Sequence, residues 1–267
     1  MPASPAPYLE IQGVTKSFKG NRVLDGVDLD IGKGEFVSLI GHSGCGKSTL
    51  LNLIAGLTRP TAGTLALEGT AIVKPGAERG MVFQHHSLLP WLSVYDNVSE
   101  AVDAVFRDQR IVKQVEKAER IERILRVVGL WDHRRKKPGE LSGGMRQRCA
   151  VARAFAVQPR VLLLDEPFGA VDALTKSSLH DELMRLWLEE RTTETVVMVT
   201  HDIDEAIYLS DRIVVMSNGP AARVLEVVEV PLERPRDKRV MLHDPRYAEV
   251  KGRLIELLTG QALHDAA

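Results

Sequence analysis

Cysteine is nearly absent from this chain: Cys45 and Cys149 are the only two in 267 residues. They lie too far apart to form a CxxC pair or a metal-ligand set, so no disulfide scaffold is expected and a reducing compartment is the natural setting. No apolar run approaches the roughly 18 residues of a membrane-spanning helix. The opening MPASPAPYLEIQG puts Pro and Ser where a secretory leader needs a basic start and an apolar stretch, so no leader is expected. Net charge is also scarce. Thirty-five basic residues against 36 acidic ones leave a formal charge of -1. No general basic field is available for nucleic acid or acidic lipid, and an anionic ligand must be held locally. Internal repeats and low-complexity tracts are missing too. The hydrophobic content, 44%, suffices for a buried core in one sizeable domain or one domain with an inserted lobe.

Short β-rich runs come first: YLEIQGVTKSF, RVLDGVDLDI, EFVSLIG and TLALEG. The later apolar runs GMVFQ, RVLLLDEP, ETVVMVTHD and RIVVMS predict strands buried in a largely parallel sheet, hence an α/β core. Between Asn97 and Leu130 the pattern turns polar with apolar residues near helical spacing, which predicts an inserted helical lobe. The expected organisation is a loose tail over 1–7, a main domain over 8–230 with the lobe at about 88–157, and a short extension over 231–267. That extension begins with the Pro- and Arg-rich ERPRDKR and turns helical through YAEVKGRLIELL.

GHSGCGKST, Gly41 to Thr49, follows the apolar run EFVSLI and precedes LLNLIAGL, so GxxxxGK(S/T) sits in the strand-loop-helix setting it needs. Gly41, Gly44 and Gly46 let the backbone turn its N–H groups toward phosphate oxygens at a helix N-terminus. Lys47 is expected to neutralise the β- and γ-phosphates and the Ser48 hydroxyl to ligate Mg²⁺. ATP or GTP is therefore the expected ligand. Cys45 is most simply a tolerated small loop residue, but its place at this helix start is expected to favour the thiolate, which alkylation that nucleotide blocks would test.

VLLLDEP ends an apolar strand in two acids. Asp165 would stand where Mg²⁺ is held, and Glu166 would face the γ-phosphate and orient the attacking water. The bland alternative is an acidic N-cap for the next helix. His201 closes TVVMVTHD at another strand end and is expected to reach the γ-phosphate, the alternative being a polar boundary residue. Gln84, ending GMVFQ, can bond both Mg²⁺ and water.

LSGGMRQR, at 141–148, has no role in a generic phosphate-loop enzyme. Together with the phosphate loop, Gln84, Asp165, Glu166 and His201 in this order, it resembles the ABC ATPase family from about Tyr8 onward. The resemblance implies a P-loop NTPase core of mostly parallel sheet, an N-terminal antiparallel β subdomain and an inserted α-helical subdomain. It implies that Ser142, Gly143 and Gly144 bind the γ-phosphate of ATP held by a second subunit, with Gln147 in the same motif. His42, Ser43 and Thr49 join the phosphate-binding set by the same likeness, so each site is composite and dimerisation belongs to catalysis. Phe18 matches the family's adenine-stacking aromatic; its alternative is an ordinary strand-face core residue. Asp172 in GAVDAL matches the loop that links the two sites, with Val171 where the family usually has Leu.

The long coiled-coil insertions of DNA-repair relatives and the fused tandem domains of translation-factor relatives are missing. The regulatory β-domain of maltose-type importers is not expected either. The strings HSGCGKST, FQHHSLLPWLSVYDNV, DEPFGAVDALTK, THDIDEAIYLSDRIVVMSNGPAA and PLERPRDKR look like the nitrate, sulfonate and taurine importer ATPases. His42, the NGPAA turn and DPRY are most similar to the nitrate branch, with its bicarbonate and cyanate relatives. By that resemblance the chain is a peripheral ATPase at the cytoplasmic face of the inner membrane. It would pair with a second ATPase subunit and with permease subunits, and indirectly with an extracytoplasmic anion-binding protein, nitrate being the expected cargo. A soluble assembly ATPase is the rival from another class. Leu88, Leu89, Trp91 and Leu92 form an apolar patch suited to a protein partner or, more blandly, to packing within the lobe.

Overall fold

The computed structural model describes residues 7–106, 114–169, 171–189 and 192–264. Alternating apolar and polar residues give β1 (Leu9–Phe18) and β2 (Asn21–Ile31), paired antiparallel from Leu9↔Ile31 to Phe18↔Asn21. Lys19 and Gly20 between them both take positive φ, 48° and 87°, the turn geometry that matches the twist of a tight hairpin. The chain continues through β3 (Phe36–Ile40), α1 (Lys47–Ile54), β4 (Ala62–Leu67), β5 (Thr70–Ala71), β6 (Arg79–Val82), α2 (Val94–Phe106) and α3 (Gln114–Val127). After α4 (Gly143–Ala156) come β7 (Val161–Asp165), α5 (Ala173–Glu189), β8 (Thr195–Val199), α6 (Ile203–Leu209), β9 (Arg212–Met216), β10 (Val224–Glu229), α7 (Lys238–Met241) and α8 (Pro245–His264).

The chain divides into two compact units, one of Met1–Gly76 with Thr195–Ala267 and one of Ala77–Glu194. The first holds an antiparallel sheet in the order β2-β1-β4-β5. It also holds β3 between β8 and β9, parallel to both, with β10 antiparallel on the far side of β9. Every residue of β3 and β8 is buried, as strands covered on both faces require, and this explains their nearly unbroken apolar runs. Ser38, the polar exception in β3, shares a 2.5 Å hydrogen bond with the Ser210 hydroxyl, so its burial leaves no unpaired group.

In the second unit β6 runs parallel to β7, and α2, α3 and α4 pack on one another. The fold class is mixed α/β, with an antiparallel sheet, parallel strands ending in loops that precede helices, and a group of helices between β6 and β7. The tail expected at residues 1–7 lies outside the described residues up to residue 6, as does part of the expected lobe, residues 107–113. Among the described residues no helix is long and apolar enough to cross a membrane.

Candidate active site

The first unit presents a phosphate loop at the end of β3. Gly46, at the N-cap of α1, has φ 100°, and a Cβ there would come within 2.8 Å of Leu24 Cδ2. Glycine is thus required twice over, by conformation and by space. Lys47 is buried, and its Nζ donates to the carbonyls of Gly41 and His42 at 2.8 Å each. The ammonium is held at the centre of the loop by neutral acceptors, a setting in which an anion would be a stronger partner. His42, Ser43, Gly44 and Ser48 are exposed, while Gly41, Gly46 and Thr49 are half-buried.

β8 runs parallel to β3 with Val199 opposite Leu39. Gly41 and His201 each follow those partners by two residues, so the phosphate loop and the exposed His201 leave the sheet at the same edge. Strand register therefore converts two motifs some 160 positions apart into neighbours at the carboxyl edge, where ligands gather in α/β sheets.

The second unit repeats the device. β6 and β7 pair in parallel with Val82 opposite Leu164, and Gln84 and Glu166 each follow by two residues. The Gln84 amide Nε2 donates to Glu166 Oε2 at 3.0 Å. Glu166 has φ 45°, left-handed backbone that is uncommon for a non-glycine residue, and it sits between the half-buried Asp165 and the turn closed by Gly169 N–H donating to Glu166 O at 3.2 Å.

Behind Gln84 lies a feature that sequence motifs do not announce. His86 and Ser87 are both left-handed, at φ 60° and 48°, and the Arg153 guanidinium on α4 donates to both carbonyls, at 3.2 Å and 2.6 Å. Burial, and then the positive charge of Arg146, hold the His86 imidazole below its ordinary pKa. Farther along, the buried Asn97 side chain accepts from Leu89 N–H at 2.8 Å. It also donates to the carbonyls of Leu89, Leu92 and Ser93 at 3.1, 3.2 and 3.0 Å. The stretch from His86 to Ser93 is pinned at both ends. Its tip carries Trp91, 66% exposed, beside half-buried Leu88, Leu89 and Leu92.

α4 opens on the exposed Ser142, whose hydroxyl accepts from Met145 N–H at 3.2 Å, an N-cap that satisfies one of the free N–H groups of the first turn. A Cβ on Gly144 would come within 2.7 Å of Thr175 Cγ2, so packing against α5 demands glycine there independently of any ligand. Gln147 is buried, and its amide nitrogen has no acceptor among the described residues. Asp172 caps α5, its Oδ1 accepting from Thr175 N–H at 3.0 Å.

Phe18 is 48% exposed with Lys16 Nζ 4.7 Å from its ring centroid, an open aromatic face rather than a core side chain. The expectation for Cys45 is corrected. Its side chain is buried, 1% exposed, so alkylation has no direct route to the sulfur, and its place near the helix start does not make it accessible. Among the described residues no group of three or more His, Cys, Asp or Glu could hold a metal. Ser48 in the first unit and Asp165 in the second each carry an oxygen donor of the kind that Mg²⁺ takes.

Residues 24–169 match the family model described as ABC transporter. The chain is 50% identical over 256 residues to a nitrate transport protein of Klebsiella oxytoca, covering 94% of this chain and 96% of that one. It is 45% identical over 271 residues to a bicarbonate transport ATP-binding protein of Synechococcus elongatus, covering 99% and 96%. Among solved structures, a dimeric ATP-binding cassette bound to ADP and Pi in a post-hydrolysis state is similar at TM-score 0.72 and 32% identity, covering 84% of this chain and all of that one. The strand-loop-helix at Gly41, the acids ending β7, the serine-capped α4 and the family match over most of their span agree, and the chain belongs to the ABC transporter family.

Proposed function

We propose that this protein is the ATP-hydrolysing subunit of an ABC importer that energises uptake of a small anion, nitrate first, through a separate membrane permease. Nitrate and bicarbonate transport relatives, similar over nearly their full length, support the anion class. Sulfonate or taurine, or bicarbonate or cyanate, is the alternative cargo within the same mechanism. Residues 8–230 make the ATPase domain, with its helical lobe at about 88–157, and 231–267 form an extension.

The observation that carries the reading is the Gln84–Glu166 pair in register with the acid-ended strand. Glu166 accepts a hydrogen bond from the attacking water and aims it at the γ-phosphate. Gln84, donating to the same carboxylate, fixes that oxygen and senses the nucleotide. Lys47, released from two loop carbonyls, and His201 stabilise charge on the transferred phosphoryl group. The loop from Gly41 to Thr49 cradles the phosphates, and Phe18 stacks on adenine. Ser48, Asp165 and Gln84 would hold Mg²⁺, which would supply charge neutralisation to the phosphates. Ser142, Gly143 and Gly144, with Gln147 behind them, meet the γ-phosphate of ATP bound to a second ATPase subunit, and Asp172 lies at the junction. The dimeric cassette among similar structures supports that composite arrangement.

Trp91 and its leucine neighbours form the apolar surface offered to the permease, and an extracytoplasmic anion-binding protein acts beyond it. The chain then sits peripherally on the cytoplasmic face of the membrane. Copurification tests this against a soluble assembly ATPase. Membranes should retain the native chain through washes and release Trp91→Glu; a chain found wholly in the soluble fraction beside its coexpressed permease contradicts the reading.

A further inference from the structure

His201 is followed by α6, which has only seven residues and so takes little orientation from its own helical propensity. Its buried residues from Glu205 to Leu209 anchor it in the core, and the extension holds it at both ends besides. Near its start, Asp204 Oδ1 accepts from Tyr247 OH at 2.7 Å and pairs with Lys251 Nζ at 2.7 Å; both partners stand on α8, one helical turn apart. Lys251 Nζ also donates to Tyr247 OH at 3.3 Å, closing a triangle. At its end, Arg236 Nη1 donates to the carbonyls of Ile207, Tyr208 and Ser210 at 2.9, 3.0 and 2.7 Å, while Arg234 Nη2 donates to Leu209 O at 2.5 Å. These carbonyls are among the groups a helix C-terminus leaves without intrahelical partners, and a cation suits the negative end of its dipole. The Arg236 side chain is 3% exposed, and burial pushes its pKa down to about 10. A charge so placed costs desolvation that the carbonyls must offset.

We infer that the extension from Arg234 through Lys251 is a clasp on α6 that positions His201 for hydrolysis, with Tyr247 and Lys251 as positioning residues acting through Asp204. This rests on the reading of His201 as a γ-phosphate contact. Link by link, α8 fixes Asp204, Asp204 fixes the first turn of α6, and that turn begins two residues after His201. The Asp202 carboxylate, capping α6 by accepting from Glu205 N–H at 3.1 Å, carries the orientation to the histidine's neighbour.

The test uses the purified full chain and steady-state ATP hydrolysis. Tyr247→Phe combined with Lys251→Met removes both Asp204 contacts and leaves the arginine end intact. The expected result is a fall in kcat of about tenfold, a barrier change near 1.4 kcal/mol, with KM for ATP within about twofold. Arg253→Met breaks the α8 contact to Glu226 instead and serves as the control for general loosening of α8; its kcat should stay native. In a His201→Ala background the double substitution should lower the residual rate no further, because the two changes share one path. Full additivity there, or an equal fall in Arg253→Met, overturns the clasp. Should the double variant not fold, Asp204→Asn is read by the same cycle. A His201→Ala chain with native kcat would fail the underlying reading of His201 instead, a distinguishable outcome.

Discussion

Gln84 Nε2 donates to Glu166 Oε2 at 3.0 Å because β6 and β7 pair in parallel with Val82 opposite Leu164, which delivers both residues to one edge two positions later. That bond fixes the carboxylate oxygen which, in the proposed mechanism, orients the attacking water. Glu166→Gln keeps the shape and the hydrogen-bonding capacity but removes the charge that attracts the water's proton. It should bind ATP with native affinity, accumulate as a dimer and lose about 10²- to 10⁴-fold in turnover, the usual worth of such a base. Phosphate release and size exclusion with ATP check this; native turnover would remove Glu166 from its role.

Lys47→Ala should abolish nucleotide binding while leaving the fold. Its Nζ bonds the carbonyls of Gly41 and His42 and lies 3.7 Å from Cys45 Sγ, so the substitution removes contacts within the loop at a cost of about 1 kcal/mol for each carbonyl. Equilibrium urea unfolding should show a modest shift, and a fluorescent ATP analogue should show no binding.

Arg153→Met should do the opposite. It leaves the carbonyls of two left-handed residues, His86 and Ser87, without their guanidinium and should cost about 1–3 kcal/mol of stability. Nucleotide affinity should stay near native because the phosphate loop is untouched. A midpoint in urea unchanged from native would show that the clamp contributes nothing.

Neither thiol should react with a disulfide reagent in the native state, since both cysteines are buried, and burial pushes the Cys149 pKa up to about 12 from 9.0. The folded chain then keeps a proton that the unfolded chain loses above pH 9.0, so this group's stabilisation is complete below that pH and declines as pH rises toward about 12. Cys149→Ala should flatten that alkaline decline, measured as unfolding midpoints between pH 8 and 10.5. Fast labelling of the native chain would contradict the burial of both sulfurs.

Much of this was legible in the sequence because the chemistry is written locally. A loop rich in glycine between an apolar run and a helix, two acids at the end of VLLL and a histidine after VVMV each declare a strand end, and parallel register does the rest. What stayed hidden depends on residues far apart in the chain. Arg153 reaches His86 and Ser87 across 67 and 66 positions, and Tyr247 reaches Asp204 across 43, contacts that no periodicity encodes. Gly144 read as an anion-binding glycine, yet the 2.7 Å approach to Thr175 gives it a packing reason as well. Cys45 misled for a similar reason, since position at a helix start says nothing about what covers the sulfur.

The central claim, ATP-driven import of a small anion, is tested most directly by nitrate uptake in host cells that carry either the native chain or Lys47→Ala, with taurine and bicarbonate in parallel. Loss of nitrate uptake alone in the variant is the predicted result. Native uptake of all three anions by Lys47→Ala cells would contradict the account.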